Sequence, residues 1–150
     1  MPAEPAPRRC AAADNAARRA GCRDAAADIP GTAMTSSDVA AITGWHAHVY
    51  FDASSRDAAW ALRETVERRF GAAVQLGRFH ERLVGPHPAW SYQIAFGPAQ
   101  FAEVVPWLTL HHGELDVFLH PNTGDELHDH RDAAVWIGRS HALNLDALKS

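Results

Sequence analysis

Cysteine is almost absent, with two in 150 residues, Cys10 and Cys22, and both precede every histidine. This excludes a disulfide-framed core and leaves no cysteine nucleophile in the patterned part of the chain. Long apolar runs are missing too, and nothing approaches the roughly 18–20 uncharged residues of a membrane span. There is no basic surplus: the net charge is −4 with histidines neutral, which argues against a polyanion as partner. A glycine-rich phosphate loop, Gly-x-Ser-x-Gly and His-Glu-x-x-His are all absent, so nucleotide, serine-hydrolase and zincin chemistry find no support. The remaining composition, 47% hydrophobic and 21% charged, is that of one ordinary globular domain. Histidine is what the chain has in quantity. All ten lie between His46 and His141, and histidine is both the commonest metal ligand and the side chain that titrates near neutrality.

Residues 1–40 differ from the rest. Thirteen are alanine and four are proline, and five arginines are scattered among five acidic residues with no apolar face. This composition predicts a disordered leader over 1–40 preceding a domain over 41–150. With no continuous apolar segment the leader is a poor secretory signal, so a cytoplasmic location is expected. Met34 offers an alternative start of translation, and a chain beginning there is expected to fold.

From Trp45 the pattern becomes regular. Trp45–Phe51 alternates as a strand, with Trp45, Ala47, Val49 and Phe51 on one face and His46, His48 and Tyr50 on the other. A helix is expected from an N-cap at Ser54 or Ser55 to Phe70, with Ala59, Leu62 and Val66 at helical spacing and Gly71 ending it. Val74–His80 and Trp90–Phe96 read as the second and third strands. A second helix follows Gly97-Pro98 and presents Phe101, Val104, Val105 and Leu108 to the core; Pro106 is expected to kink or split it. Leu115–His120 reads as the fourth strand. The order β-α-β-β-α-β predicts an α+β ferredoxin-like sandwich, with both helices on one sheet face and strands one and three in the middle. The other face then carries His46, His48, Tyr50, Gln93, Phe118 and His120. A face with that many polar groups makes a pocket or a dimer surface rather than dry core.

Three concentrations of histidine stand out. His46-Ala47-His48 puts two imidazoles on one side of a strand, and His120 shares their face from the neighbouring strand. This N-donor set suits iron, zinc, copper or nickel. In Gly85-Pro86-His87-Pro88 the two prolines restrict the backbone around His87, as a preorganised acid–base group requires; a strand-capping surface turn is the plainer alternative. Nearby Arg78 and Arg82 are candidates to grip a substrate carboxylate, or simply two exposed arginines beside Glu81. In His120–His130, a turn at Asn122–Asp125 is followed by His128 and His130, either of which can complete a metal shell. Asp125, Glu126 or Asp129 could supply a carboxylate ligand or orient a histidine. His111, His112 and His141 show no such pattern.

Taken together, Trp45–Asp52, Gly85-Pro86-His87-Pro88, Val104–Leu108, His120–Asp125, Asp129-His130 and Trp136-Ile137-Gly138 resemble the DOPA 4,5-dioxygenase family, over roughly residues 44–140. The resemblance implies a ferredoxin-like domain, non-haem iron(II) as cofactor, and extradiol opening of a catechol such as L-DOPA with O₂. With that chemistry in view, His48 and His120 are the first candidates for metal ligands and His46 and His130 the next. His87 is the candidate acid–base residue or else a further ligand, with His80 and Tyr50 as further catalytic candidates. Arg78, Arg82 and Gln93 become the candidates for substrate binding. The expected partners are a small catechol, O₂ and a second copy of the chain, with no nucleic acid and no membrane. Three rival readings stand beside this one. The first is a metal-free ferredoxin-like monooxygenase acting on phenols or quinones. The second is a cupin, where His-x-His also binds iron but against which the two helical stretches between strands speak. The third is a non-catalytic metal-binding or ligand-binding module.

Overall fold

The structure is a computed structural model describing residues 39–149. Of the leader expected over 1–40, only Val39 and Ala40 fall within them, opening a short 3-10 turn; Cys10, Cys22 and Met34 lie outside. Eight elements follow in order: β1 (Gly44–Phe51), α1 (Arg56–Phe70), β2 (Val74–Leu76), β3 (Trp90–Phe96), α2 (Phe101–His111), β4 (Asp116–Asn122), α3 (Glu126–Arg131) and β5 (Val135–Ile137). They form one antiparallel sheet in the order β2-β3-β1-β4-β5. The first four strands have the ferredoxin-like arrangement, and β5 adds an edge beside β4. Among the described residues no helix is long and apolar enough to cross a membrane.

Alternation along the strands decides which face is core. Ala47, Val49 and Phe51 of β1, Tyr92, Ile94 and Phe96 of β3, and Val117 and Leu119 of β4 are buried on one side. Ala59, Leu62 and Val66 of α1 close over them, with Val104 and Leu108 of α2. Leu108 is fully buried, so Leu108→Ala should cost about 2–5 kcal/mol, the range for a leucine cavity in a packed core. The drop in urea midpoint at unchanged slope measures it.

Helix α2 runs unbroken from Phe101 to His111, so Pro106 does not split it as its position suggested. The proline is exposed and removes one N–H, the partner of the Ala102 carbonyl, on a side where water can replace it. Burial of Val104 and Leu108 on the opposite side keeps the helix together.

The strand expected over Val74–His80 is interrupted. Its pairing with β3 runs Val74↔Phe96, Gln75↔Ala95 and Leu76↔Ile94, and resumes at His80↔Ser91 with one extra residue on the first strand. This is a β-bulge, and it reverses the alternation beyond it. Phe79 thereby turns to the core, stacking on Phe51 at 4.2 Å between ring centroids, and His80 goes to the histidine face. Strand β4 extends to Asn122, past the expected end at His120. Pairing with β5 stops at Leu119, so Pro121 lies where one side of β4 is an edge, a position that tolerates proline.

Candidate metal centre

Strand register builds the site. His46 pairs with His120, and His48 with Phe118, across β1 and β4, so three imidazoles occupy adjacent positions on the face away from the helices. One donor nitrogen from each of His46, His48 and His120 lies within 4.8 Å of the other two. His48 Nε2 and His120 Nε2 are 3.2 Å apart, the separation of two ligands on one ion with metal–nitrogen bonds of about 2.1 Å. His120 Nδ1 donates to the Pro121 carbonyl at 2.9 Å. That fixes its proton on Nδ1 and leaves the Nε2 lone pair free for a cation, the usual outer support of a ligating histidine.

Electrostatics favour the same use. Burial lowers the pKa of His48 well below the ordinary imidazole value, and positive charge on His87, His120, His46 or His130 would lower it further. Burial brings His120 to about 4, against the pull of its Pro121 bond, and lowers His46 as well, with His130 adding to the effect. All three are therefore neutral donors at pH 7.

His87 comes to this cluster from the rigid turn. Its own N–H donates to the Val84 carbonyl at 3.3 Å, its ring centroid lies 4.1 Å from that of His48, and it is buried. Its Nδ1 is hydrogen-bonded to the Tyr50 hydroxyl at 2.8 Å. Burial raises the Tyr50 pKa above its ordinary value, so the phenol stays protonated. Burial, then His130, lowers His87 to about 4. A histidine in this turn would ordinarily titrate near 6.5; the structure moves it down because the turn is packed against the sheet rather than left on the surface.

The other sequence candidates divide. His80, Arg78 and Gln93 line a cavity of about 210 Å³ with His48 and His87. Arg82 is exposed and outside it, and Glu81 pairs with Arg56 of α1. His130 lies outside the three converging donors; its ring packs on His120 at 4.0 Å and its Nδ1 donates to the Glu126 carbonyl at 2.7 Å. The loop carboxylates hold the loop. Asp129 accepts from Thr123 N at 2.8 Å and Thr123 Oγ1 at 2.6 Å, and Asp125 caps α3 by accepting from His128 N at 3.0 Å. Asp125 with acidic Glu126 and basic Arg131 is a helix signature that the sequence reading absorbed into a turn. His141, set aside on sequence, binds Asp116 Oδ2 at 2.7 Å. An Asp on the histidine face of β4 was the available signal.

These positions can be set beside known proteins. The profile of the Dopa 4,5-dioxygenase family matches residues 45–147. The chain belongs to this family. Over 114 residues it is 41% identical to a DOPA 4,5-dioxygenase of Amanita muscaria, covering 71% of this chain and 50% of that protein. A 21.2 kDa protein of Botryotinia fuckeliana, described as uncharacterized, is 34% identical over 112 residues, 68% of this chain and 61% of its own length. The chain thus spans between half and about three-fifths of the curated relatives it matches. A solved structure from Nostoc punctiforme, described as a candidate dioxygenase, superposes with a TM-score of 0.72 at 50% identity, covering 75% of this chain and 96% of that one. The matched segment contains all ten histidines of the chain.

The buried neutral imidazoles have a consequence for stability. The unfolded chain takes up protons near pH 6.5, whereas folded His87 and His120 resist protonation until about 4. Stability of the metal-free protein is therefore full above about 6.5 and falls as pH drops towards 4. The loss is up to roughly 3 kcal/mol per imidazole. Denaturant midpoints taken between pH 7.5 and 4 measure it; a midpoint flat across that range would contradict neutral burial.

Proposed function

We propose that the protein is a non-haem iron(II) extradiol dioxygenase that opens the ring of a catechol such as L-DOPA. The observation that carries this reading is the convergence of His46, His48 and His120 donor atoms beside a buried His87 that is not one of the three. Iron(II), held by His46, His48 and His120, would supply open coordination positions that bring a catechol and O₂ together as an oriented pair.

The chain's own groups do the rest. His48 and His120, neutral and fixed by the sheet, offer lone pairs without first losing a proton. His87 stands next to His48 with Tyr50 on its Nδ1. In the tautomer whose Nδ1–H donates to the Tyr50 oxygen, its Nε2 lone pair can take a proton from a catechol hydroxyl and return one later in the reaction. The cavity lined by Arg78, His80, Gln93 and Ser91 accommodates an aromatic ring, and Arg78 at its rim suits a side-chain carboxylate. The buried aromatic surroundings, Phe118 against His48 at 5.9 Å and Trp136 against Phe118 at 4.8 Å, limit water at the reacting atoms. A homodimer in the cytoplasm is part of the same proposal.

Anaerobic loading with ferrous iron, followed by a panel of catechols and air, tests the reading. It requires one O₂ consumed per catechol, both oxygen atoms retained in the product, and a yellow ring-opened chromophore. Turnover by protein stripped of metal would favour a metal-free monooxygenase, and stoichiometric iron without turnover of any catechol would favour a binding module.

A further inference from the structure

The C-terminal segment is tied to the site at two points. Asp116, on the histidine face of β4 and buried, accepts from the Arg139 backbone N–H at 2.8 Å through Oδ1 and binds His141 Nε2 at 2.7 Å through Oδ2. Arg139 Nε lies 3.4 Å from the same Oδ2, but its side chain is largely exposed. Three residues past His141, Asn144 N donates to the Pro86 carbonyl at 2.9 Å, in the turn that carries His87. Gly138 is needed for this path. Its φ is +90°, and a Cβ there would meet Asp116 Oδ1 at 2.6 Å.

Between the two ties, the His141 ring sits edge-on to Tyr50 at 5.4 Å, and Trp136 sits against Tyr50 at 5.7 Å. Tyr50 is thus enclosed by Trp136, His141 and the His87 ring, the last through its hydroxyl. Asp116 and His141 are not among the three converging histidines and do not line the cavity beside His87. A buried carboxylate accepting two strong hydrogen bonds holds its partners in one geometry.

We infer that Asp116 and His141 form a clamp that positions Tyr50, and through its hydroxyl fixes the orientation and tautomer of His87. They are positioning residues. The inference rests on the functional reading above only for its kinetic consequence; the geometric part stands independently.

Two variants of similar size separate a clamp from packing alone. His141→Gln keeps a donor for Asp116, whereas His141→Leu fills space without one. In the full-length chain, with chelator present so that no paramagnetic metal broadens the signals, ring ¹⁵N shifts of His87 report its tautomer at pH 7. Wild type and His141→Gln should show one fixed tautomer, and His141→Leu an averaged pair, as should Tyr50→Phe. In the iron-loaded enzyme His141→Leu should lower kcat by up to about 10²-fold, the scale of a slightly misplaced catalytic group, with KM and iron content unchanged. Added to Tyr50→Phe, it should cost little more. A fixed His87 tautomer in the Leu variant, or averaging in the Gln variant, overturns the clamp. Should the Leu variant fail to fold, His141→Asn, one methylene shorter than Gln, replaces it with the same expected averaging. Absence of catechol turnover in wild type would sink the dioxygenase reading alone, since the ¹⁵N comparison still decides the clamp.

Discussion

Replacing His48 or His120 by alanine is expected to remove bound iron and catechol turnover together while leaving the fold in place. Both side chains are buried at 7% and 2% exposure, yet they lie on the sheet face opposite the helix-packed core, so truncation does not open that core. Removing either leaves two donors where three converge. Even losing a group that merely orients a ligand costs about 10–100-fold in metal affinity, so losing a ligand itself should cost on the order of 10²-fold or more. Metal analysis after dialysis, with far-UV circular dichroism as the control, measures it. In the metal-free state each variant should also be less sensitive to acid than wild type, because a buried neutral imidazole has been removed. Full iron occupancy in both variants would refute the assignment.

His87→Gln separates ligand from proton carrier. The turn is set by Pro86 and Pro88 and by the Val84–His87 backbone bond, none of which needs the imidazole. Iron content and catechol affinity should therefore persist while kcat falls roughly 10²–10⁴-fold, the span for a lost acid–base group. Its pKa of about 4 fixes the sign of the pH effect. Neutral His87 accepts the proton, so its contribution is complete well above pH 4 and disappears as pH falls through that value. The ratio of wild-type to variant kcat should then be constant near neutrality and decline towards one below about pH 4. Using the ratio cancels titration of the other histidines, which both proteins share. Loss of iron from the variant would make His87 a ligand, and unchanged kcat would leave it a residue of a packed turn.

How much of this is legible in one dimension depends on the range of the interaction. Strand alternation is local, and it puts His46, His48 and Tyr50 on one face of their strand and sorts His120 with Asp116 and Phe118 on theirs. The β-α-β-β-α-β order then made strands one and four neighbours, which brought His120 to the pair. Helix α1 was equally readable, since Ala59, Leu62 and Val66 repeat at 3.6 residues. Short elements were not. Helix α3 and strand β5 have six and three residues, too few for a period to show, and the bulge before His80 is one residue long.

The sequence by itself determined the order of the first four strands, the two sheet faces and the placing of His46, His48 and His120 on one of them, because each follows from a repeating pattern or a strand order. The tertiary structure alone decided which remote groups join that cluster. His87 meets His48 and Tyr50 across 37 to 39 positions of chain only because its turn folds back on the sheet. His80 faces the cavity only because one extra residue reverses its strand. His141 reaches Asp116, 25 positions away, because glycine at 138 lets the chain pass against a buried carboxylate. Those contacts are set by the packing of loops on a finished sheet, and by burial that moves an imidazole from about 6.5 to about 4. No local pattern of residue types encodes either.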